Sequence, residues 1–279
     1  MLFDDSGDGK PVDHREMRRL LLVLLVVAGC HRRDLPPLTA ALMVVGAPSS
    51  SAQDAAAVAL ADATARVEAR LRAGAAPADA LRAVVFDELH FEPETRSQDL
   101  RFARLSQVLA DRKGNALGLA ALYLALGERL GPAHGFTVSG VVVPGHVFVR
   151  VGDRNVELLR RGEAMPDRWY RETFEVPEKD APAYLRPLAP AELMALFDAR
   201  VADELRLQGR LVEAAVAYRR ATSLFPDLAE AHAGLGSVRH MTGALKDAEE
   251  AYRAAQAANP HLPGLEKNLA LVRAEMKKH

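Results

Sequence analysis

Apolar positions change rhythm several times along the chain, and each change marks an element. An unbroken run from Leu20 to Val27 follows Arg18-Arg19 and closes on Ala28-Gly29-Cys30. Residues 52–72 are alanine-rich, with Val58, Val67 and Leu71 at helical spacing, and Pro77 to Phe86 reads as a second helix. A third helix starts at Gly114-Asn115-Ala116 and continues through an apolar stretch to Gly131. Val141-Val142-Val143, Pro144-Gly145-His146 and Val147-Phe148-Val149 then read as strand. A two-residue turn at Gly152-Asp153 would set residue 151 opposite 154 and 148 opposite 157. His146, Phe148 and Arg150 would then share a face with Asn155 and Glu157, and Glu157 would lie diagonally across from His146.

Pro177, Pro182, Pro187 and Pro190 forbid a continuous helix and mark a boundary. Beyond it the chain repeats itself at an offset of 34 residues: Gly209/Gly243, Ala214/Ala248, Tyr218/Tyr252, Ala221/Ala255 and Pro226/Pro260. Glycine turns the chain between paired helices, alanine lets them approach, tyrosine fills the space between them and proline ends the second helix. This period resembles the tetratricopeptide repeat, with Leu235-Gly236 at the family's Leu-Gly place. The first unit has Val201-Ala202 there, and Asp198 and His232 replace the common tryptophan. Leu265, Leu269, Val272 and Met276 predict a capping helix. An array of two units and a cap either braces the preceding domain or presents a concave face to a partner.

The 279 residues include 36 basic and 37 acidic side chains, a net charge of −1, so no global field draws nucleic acid or an anionic surface. Clusters such as Arg160-Arg161 and Lys277-Lys278 are expected to be solvated. The apolar run after Arg19 is too short to span a bilayer, which needs roughly 20 apolar residues. It has the form of a secretory signal. Val27-Ala28-Gly29-Cys30 resembles a lipobox, which implies a diacylated Cys30 as the mature N-terminus and Met17 as an alternative start. His31 rather than Asp follows the cysteine, and the resemblance then implies an outer-membrane anchor with the body in the periplasm. Cys30 is the only cysteine, so no intramolecular disulfide forms.

The expected division is a signal segment 1–30, a flexible tether 31–51, a first domain 52–178, a proline-rich linker 179–192 and repeats 193–279. Within the tether, Leu42-Met43-Val44-Val45 is apolar and would dock on the body or lie at a bilayer surface.

The order Phe86-Asp87-Glu88-Leu89-His90-Phe91, Leu105-Ser106-Gln107-Val108-Leu109, Arg112-Lys113-Gly114-Asn115-Ala116 and Pro144-Gly145-His146 resembles the SirB-type N-terminal domain, a branch of the transglutaminase-like superfamily. The resemblance covers roughly residues 55–175. It implies an α+β, papain-like domain, and such domains commonly precede tetratricopeptide repeats. In active relatives a cysteine stands at the N-terminus of the central helix, where the helix dipole lowers its pKa, and a histidine and an acid follow on strands. Ala116 occupies that cysteine's place. A methyl group cannot attack an amide, the Asn115 amide nitrogen is no nucleophile, and Ser106 lies on another segment.

His146 and Glu157 are then the remnant of the histidine–acid pair or an ordinary satisfied histidine. Asn115, Ala116, His146 and Glu157 together form a degenerate site whose vacated pocket could hold a peptide or cell-wall fragment. Trp169-Tyr170 is expected to anchor packing, and Arg112 and Lys113 would either hold an anion at the helix start or face solvent. His232, His240 and His261 match no metal-ligand spacing, no His-Glu-x-x-His occurs, and no cofactor is expected. The reading is a non-catalytic interaction protein. Its alternatives are a hydrolase using His146 and Glu157 without a covalent intermediate, or a purely structural envelope protein.

Overall fold

In the computed structural model the described residues are 38–45, 48–97, 99–179 and 182–278. The signal segment with Cys30, and the tether as far as residue 37, lie outside them.

The described chain opens with α1 (Leu38–Met43), which sits within the expected tether but is docked. The Glu128 carboxylate accepts the N–H groups of Leu38 (2.7 Å) and Thr39 (2.6 Å) and also takes the Thr39 hydroxyl. These are donors that the first turn of a helix leaves open. Leu42 and Val45 are buried. The apolar patch therefore packs on the body and is no part of a loose linker. Helix α2 (Ser50–Arg72) starts two residues earlier than its pattern suggested, because the Ser49 hydroxyl caps it. Its buried stripe is Ala56, Leu60, Ala63 and Val67, whereas Val58 is 72% exposed and lies off the inward face.

After α3 (Pro77–Arg82) the chain widens into a π-helical turn, Ala83–Glu88, which buries Val84, Val85 and Phe86. The expected helix thus changes pitch partway. Strand β1 (Glu92–Pro93) pairs in parallel with β2 (Lys113–Gly114), on either side of α4 (Leu105–Asp111). The β2 pairing aims the chain into α5 (Ala116–His134), most of whose residues are buried. Its first turn lies so close to Phe102 that a Cβ on Gly118 would come 2.0 Å from the Phe102 carbonyl oxygen. Only glycine fits there.

Against α5 lies an antiparallel sheet in the order β3 (Val138–Val143), β4 (His146–Val151), β5 (Arg154–Glu157) and β6 (Glu163–Ala164), followed by α6 (Asp167–Thr173). The proline-rich linker is also engaged. Leu185 N–H donates to the Val142 carbonyl (3.0 Å) and Leu188 N–H to that of Gly140 (2.9 Å), laying residues 185–188 along β3.

The repeats are α7 (Pro190–Leu207) with α8 (Leu211–Leu224), and α9 (Ala229–Met241) with α10 (Leu245–Ala258), closed by α11 (Leu265–Met276). Helix α7 begins inside the expected linker, where Glu192 accepts the Ala189 N–H (2.8 Å) and pairs in bidentate fashion with Arg186 (2.6 and 2.8 Å). The repeat logic holds in detail. Gly209 and Gly243 take φ of 74° and 76°, and the rings of Tyr218 and Tyr252 pack where a Cβ on Gly234 or Gly236 would collide with them.

One continuous apolar core runs from Leu42 through the sheet and into the first helices of the array, as far as Ala251. A smaller cluster joins α10 to α11. Leu193 of α7 sits so close to Gly140 of β3 that a Cβ there would come within 2.9 Å of it. The first helix of the array thus packs on the first domain.

Candidate functional site

At the tip of α5, Asn115 takes an extended backbone and its amide oxygen accepts the Gly118 N–H at 3.0 Å, which makes it the N-cap. Ala116 follows as the first helical residue, its methyl packed against the core. The helix start expected to lack a nucleophile carries a methyl group at residue 116.

The opposite half of the site is a pair of hairpins. Pro144-Gly145 turns β3 into β4, with Gly145 at φ 68°, as a proline–glycine turn requires. Gly152, at φ 62°, leads the turn into β5. The register is Val149 with Val156, Arg150 with Asn155 and Val151 with Arg154, as the two-residue loop predicted. His146 and Glu157 therefore meet. His146 Nε2 and Glu157 Oε2 are hydrogen-bonded at 2.9 Å, and Glu157 Oε1 accepts the Leu159 N–H at 3.0 Å. Glu157 is 2% exposed and the His146 side chain 8%.

An aromatic wall fixes the imidazole. Its ring lies parallel to Phe174 with centroids 4.5 Å apart, while Phe148 stacks on Tyr170 at 3.7 Å. Burial first, and then the neighbouring Glu157 charge, holds the Tyr170 phenol proton far above its ordinary range. Trp169 meets Tyr170 and Phe174 edge-on, the packing role expected of it. Phe174 escaped the sequence reading because nothing local ties it to His146.

Chemically, Glu157 bonded to Nε2 fixes one imidazole tautomer and leaves Nδ1 as the nitrogen free to take up a proton or a ligand hydrogen bond. Such a pair can orient a polar group or act as a general base. Residue 116 offers a methyl group, and Ser106 is buried on α4.

Further along the same strand face, Arg150 donates to Asn155 (2.7 Å) and to Asp167 (3.0 Å), and Asn155 donates to Asp167 (2.6 Å). These residues, with Arg154 and Met165, line a cleft of ≈ 490 Å³. A second cleft, of ≈ 530 Å³, lies between Asp99-Leu100 and Arg200, Asp203 and Leu207 of α7. Neither is lined by Asn115, Ala116, His146 or Glu157, so the vacated pocket expected beside Ala116 corresponds to neither.

Arg112 and Lys113 are occupied locally: Arg112 donates to the Leu89 carbonyl (3.3 Å) and Lys113 pairs with Glu94 at 2.9 Å. His232 bonds the Pro226 carbonyl, His240 pairs with Glu275, and His261 is exposed. Among the described residues no group of three or more His, Cys, Asp or Glu side chains could hold a metal ion, and no helix is long and apolar enough to cross a membrane.

A family model described as the transglutaminase-like superfamily matches residues 54–195, about half of the chain. The chain belongs to the transglutaminase-like superfamily. The matched span runs past the expected boundary at residue 178 and takes in the segment laid along β3 and the start of α7, in keeping with the continuous core. A TPR repeat model matches residues 202–243, and repeats of that kind generally mediate protein–protein contacts. No curated protein matches the chain.

Proposed function

We propose that this transglutaminase-like protein is a non-catalytic docking module of the SirB-type branch, anchored to the outer membrane through lipid at Cys30 and facing the periplasm. The observation that carries the reading is a bonded His146–Glu157 pair in a chain whose α5 starts on Ala116. The pair can recognise a protein, peptide or cell-wall fragment by hydrogen bonding, and nothing at residue 116 can be acylated by it. The cleft beside Arg150, Asn155 and Asp167 extends the polar face along the same strands. The repeat helices pack chiefly on one another, which favours a rigid scaffold with outer helix faces open to a partner. Nucleic acid is not an expected ligand, given the balanced charge.

The test is hydrolysis of peptides and peptidoglycan by the purified chain and by His146→Ala. Equal background rates are expected. Turnover that depends on His146 would transfer the protein to the second reading, a hydrolase in which the Glu157-oriented imidazole activates water, which the 2.9 Å bond favours. For the anchor, labelled palmitate should enter the wild type and not Cys30→Ser. Equal labelling of both would refute lipidation at that residue.

A further inference from the structure

The amide of Gly145, immediately before His146, has no acceptor within its own hairpin. In a two-residue turn the cross-strand bond belongs to the flanking residues, here Val143 and His146. Gly145 is exposed at the turn, where water could serve this N–H, but its partner is a side chain far away in sequence. Glu230, in the first turn of α9, accepts the Gly145 N–H through Oε1 at 3.1 Å. The Tyr184 hydroxyl approaches the same oxygen at 3.5 Å and itself accepts from Asn259 Nδ2 at 3.0 Å. Tyr184 and Asn259 are buried, and the second Glu230 oxygen is buried with no hydrogen-bond partner.

A carboxylate with one oxygen buried and unpartnered, held by its own backbone N–H, the Gly145 N–H and one long hydroxyl contact, is an expensive way to join two bodies, when the packing of Leu193 on Gly140 already does so. What the carboxylate adds is direction. It fixes the turn that sets where β4 begins, and so the angle at which the His146 ring meets both Glu157 and Phe174.

We propose that Glu230 is a positioning residue for His146, through which the repeat array and the His146 face are coupled: a partner that shifts α9 alters the imidazole, and a ligand at the imidazole alters the hold on α9. Such coupling is reciprocal by linkage. The proposal rests on the reading of the His146 face as a recognition face, but the contact that transmits it can be tested with no ligand present.

The experiment is imidazole ¹⁵N–¹H NMR on the full chain, together with hydrogen exchange at the Gly145 amide. In Glu230→Ala the protected His146 Nε2–H signal should be lost and Gly145 exchange should rise about tenfold or more, as in a local opening. Glu230→Gln retains an oxygen that can accept the same N–H and should restore both. Should the alanine variant fail to fold, Glu230→Asp, one methylene shorter, should show the same loss. Wild-type behaviour in Glu230→Ala or Glu230→Asp, or a folded Glu230→Gln that does not rescue, would overturn the proposal. Either result leaves the peptide and peptidoglycan assay to stand or fall separately.

Discussion

In the hairpin half of the site, Glu157 uses one oxygen for His146 and the other for the Leu159 amide, and the Phe174 ring stacks on His146. At the tip of α5 the polar side chain serves its own backbone, Asn115 to Gly118, and the next residue is a methyl group. The difference separates two reasons for a residue to persist. The histidine–acid pair is built into the sheet and the core beneath it, so folding alone gives it a use. At the helix tip the cap is made by Asn115 alone, so the identity of residue 116 leaves the cap untouched.

The largest expected effect breaks the hairpin half. Glu157→Ala leaves His146, the Leu159 amide and a buried void without their partner, and should lower unfolding free energy by about 3 kcal/mol in urea titration. A loss below about 1 kcal/mol, the level of an exposed pair, would mean that the pair is not structural and that the contrast with residue 116 is false.

Next in size, Ala116→Cys in a Cys30→Ser background refills the helix half. A thiol at that helix start should react with iodoacetamide about tenfold faster than an unperturbed thiol, and adding His146→Ala should remove the advantage. Equal rates in both backgrounds would show that the hairpin half is not poised toward the tip of α5.

The smallest effect concerns the array's hold on the hairpin half. Burial raises the Glu230 pKa, outweighing the opposing bonds from its own backbone N–H, Gly145 and Tyr184. A carboxyl raised on folding supports stability fully below its unfolded pKa and loses that support as pH climbs through the folded value. The neutral Glu230→Gln has no such loss. Its melting temperature relative to wild type should therefore increase as pH rises from acid toward neutral, and a pH-independent difference would remove the carboxylate's charge from the account.

The hairpin was legible in sequence because its geometry is local: Gly152-Asp153 fixes the register, and the register alone puts Glu157 diagonal to His146. The repeats were legible for a similar reason, since Tyr218/Tyr252 and Gly209/Gly243 obey one period. What stayed hidden joins residues far apart with no periodic trace. Glu128 capping α1, Glu230 reaching Gly145 and Tyr184 meeting Asn259 are isolated polar contacts across many tens of residues. The prolines after residue 177 signalled a break in helix and said nothing of where the broken segment would lie. The stripe on α2 was misplaced because alanines, uninformative about their face, make up half of it.

The segment from Leu185 to Leu188 has a bearing on how this protein avoids its own kind. Strand β3 is the outermost of its sheet and reads Val141-Val142-Val143, the sort of unpaired, β-branched margin that invites another copy to add itself. By bonding Val142 and Gly140, the segment occupies that margin. Separating the two halves of the chain upstream of Tyr184 would uncover an adhesive valine border, so the passage between domains doubles as a guard against self-association.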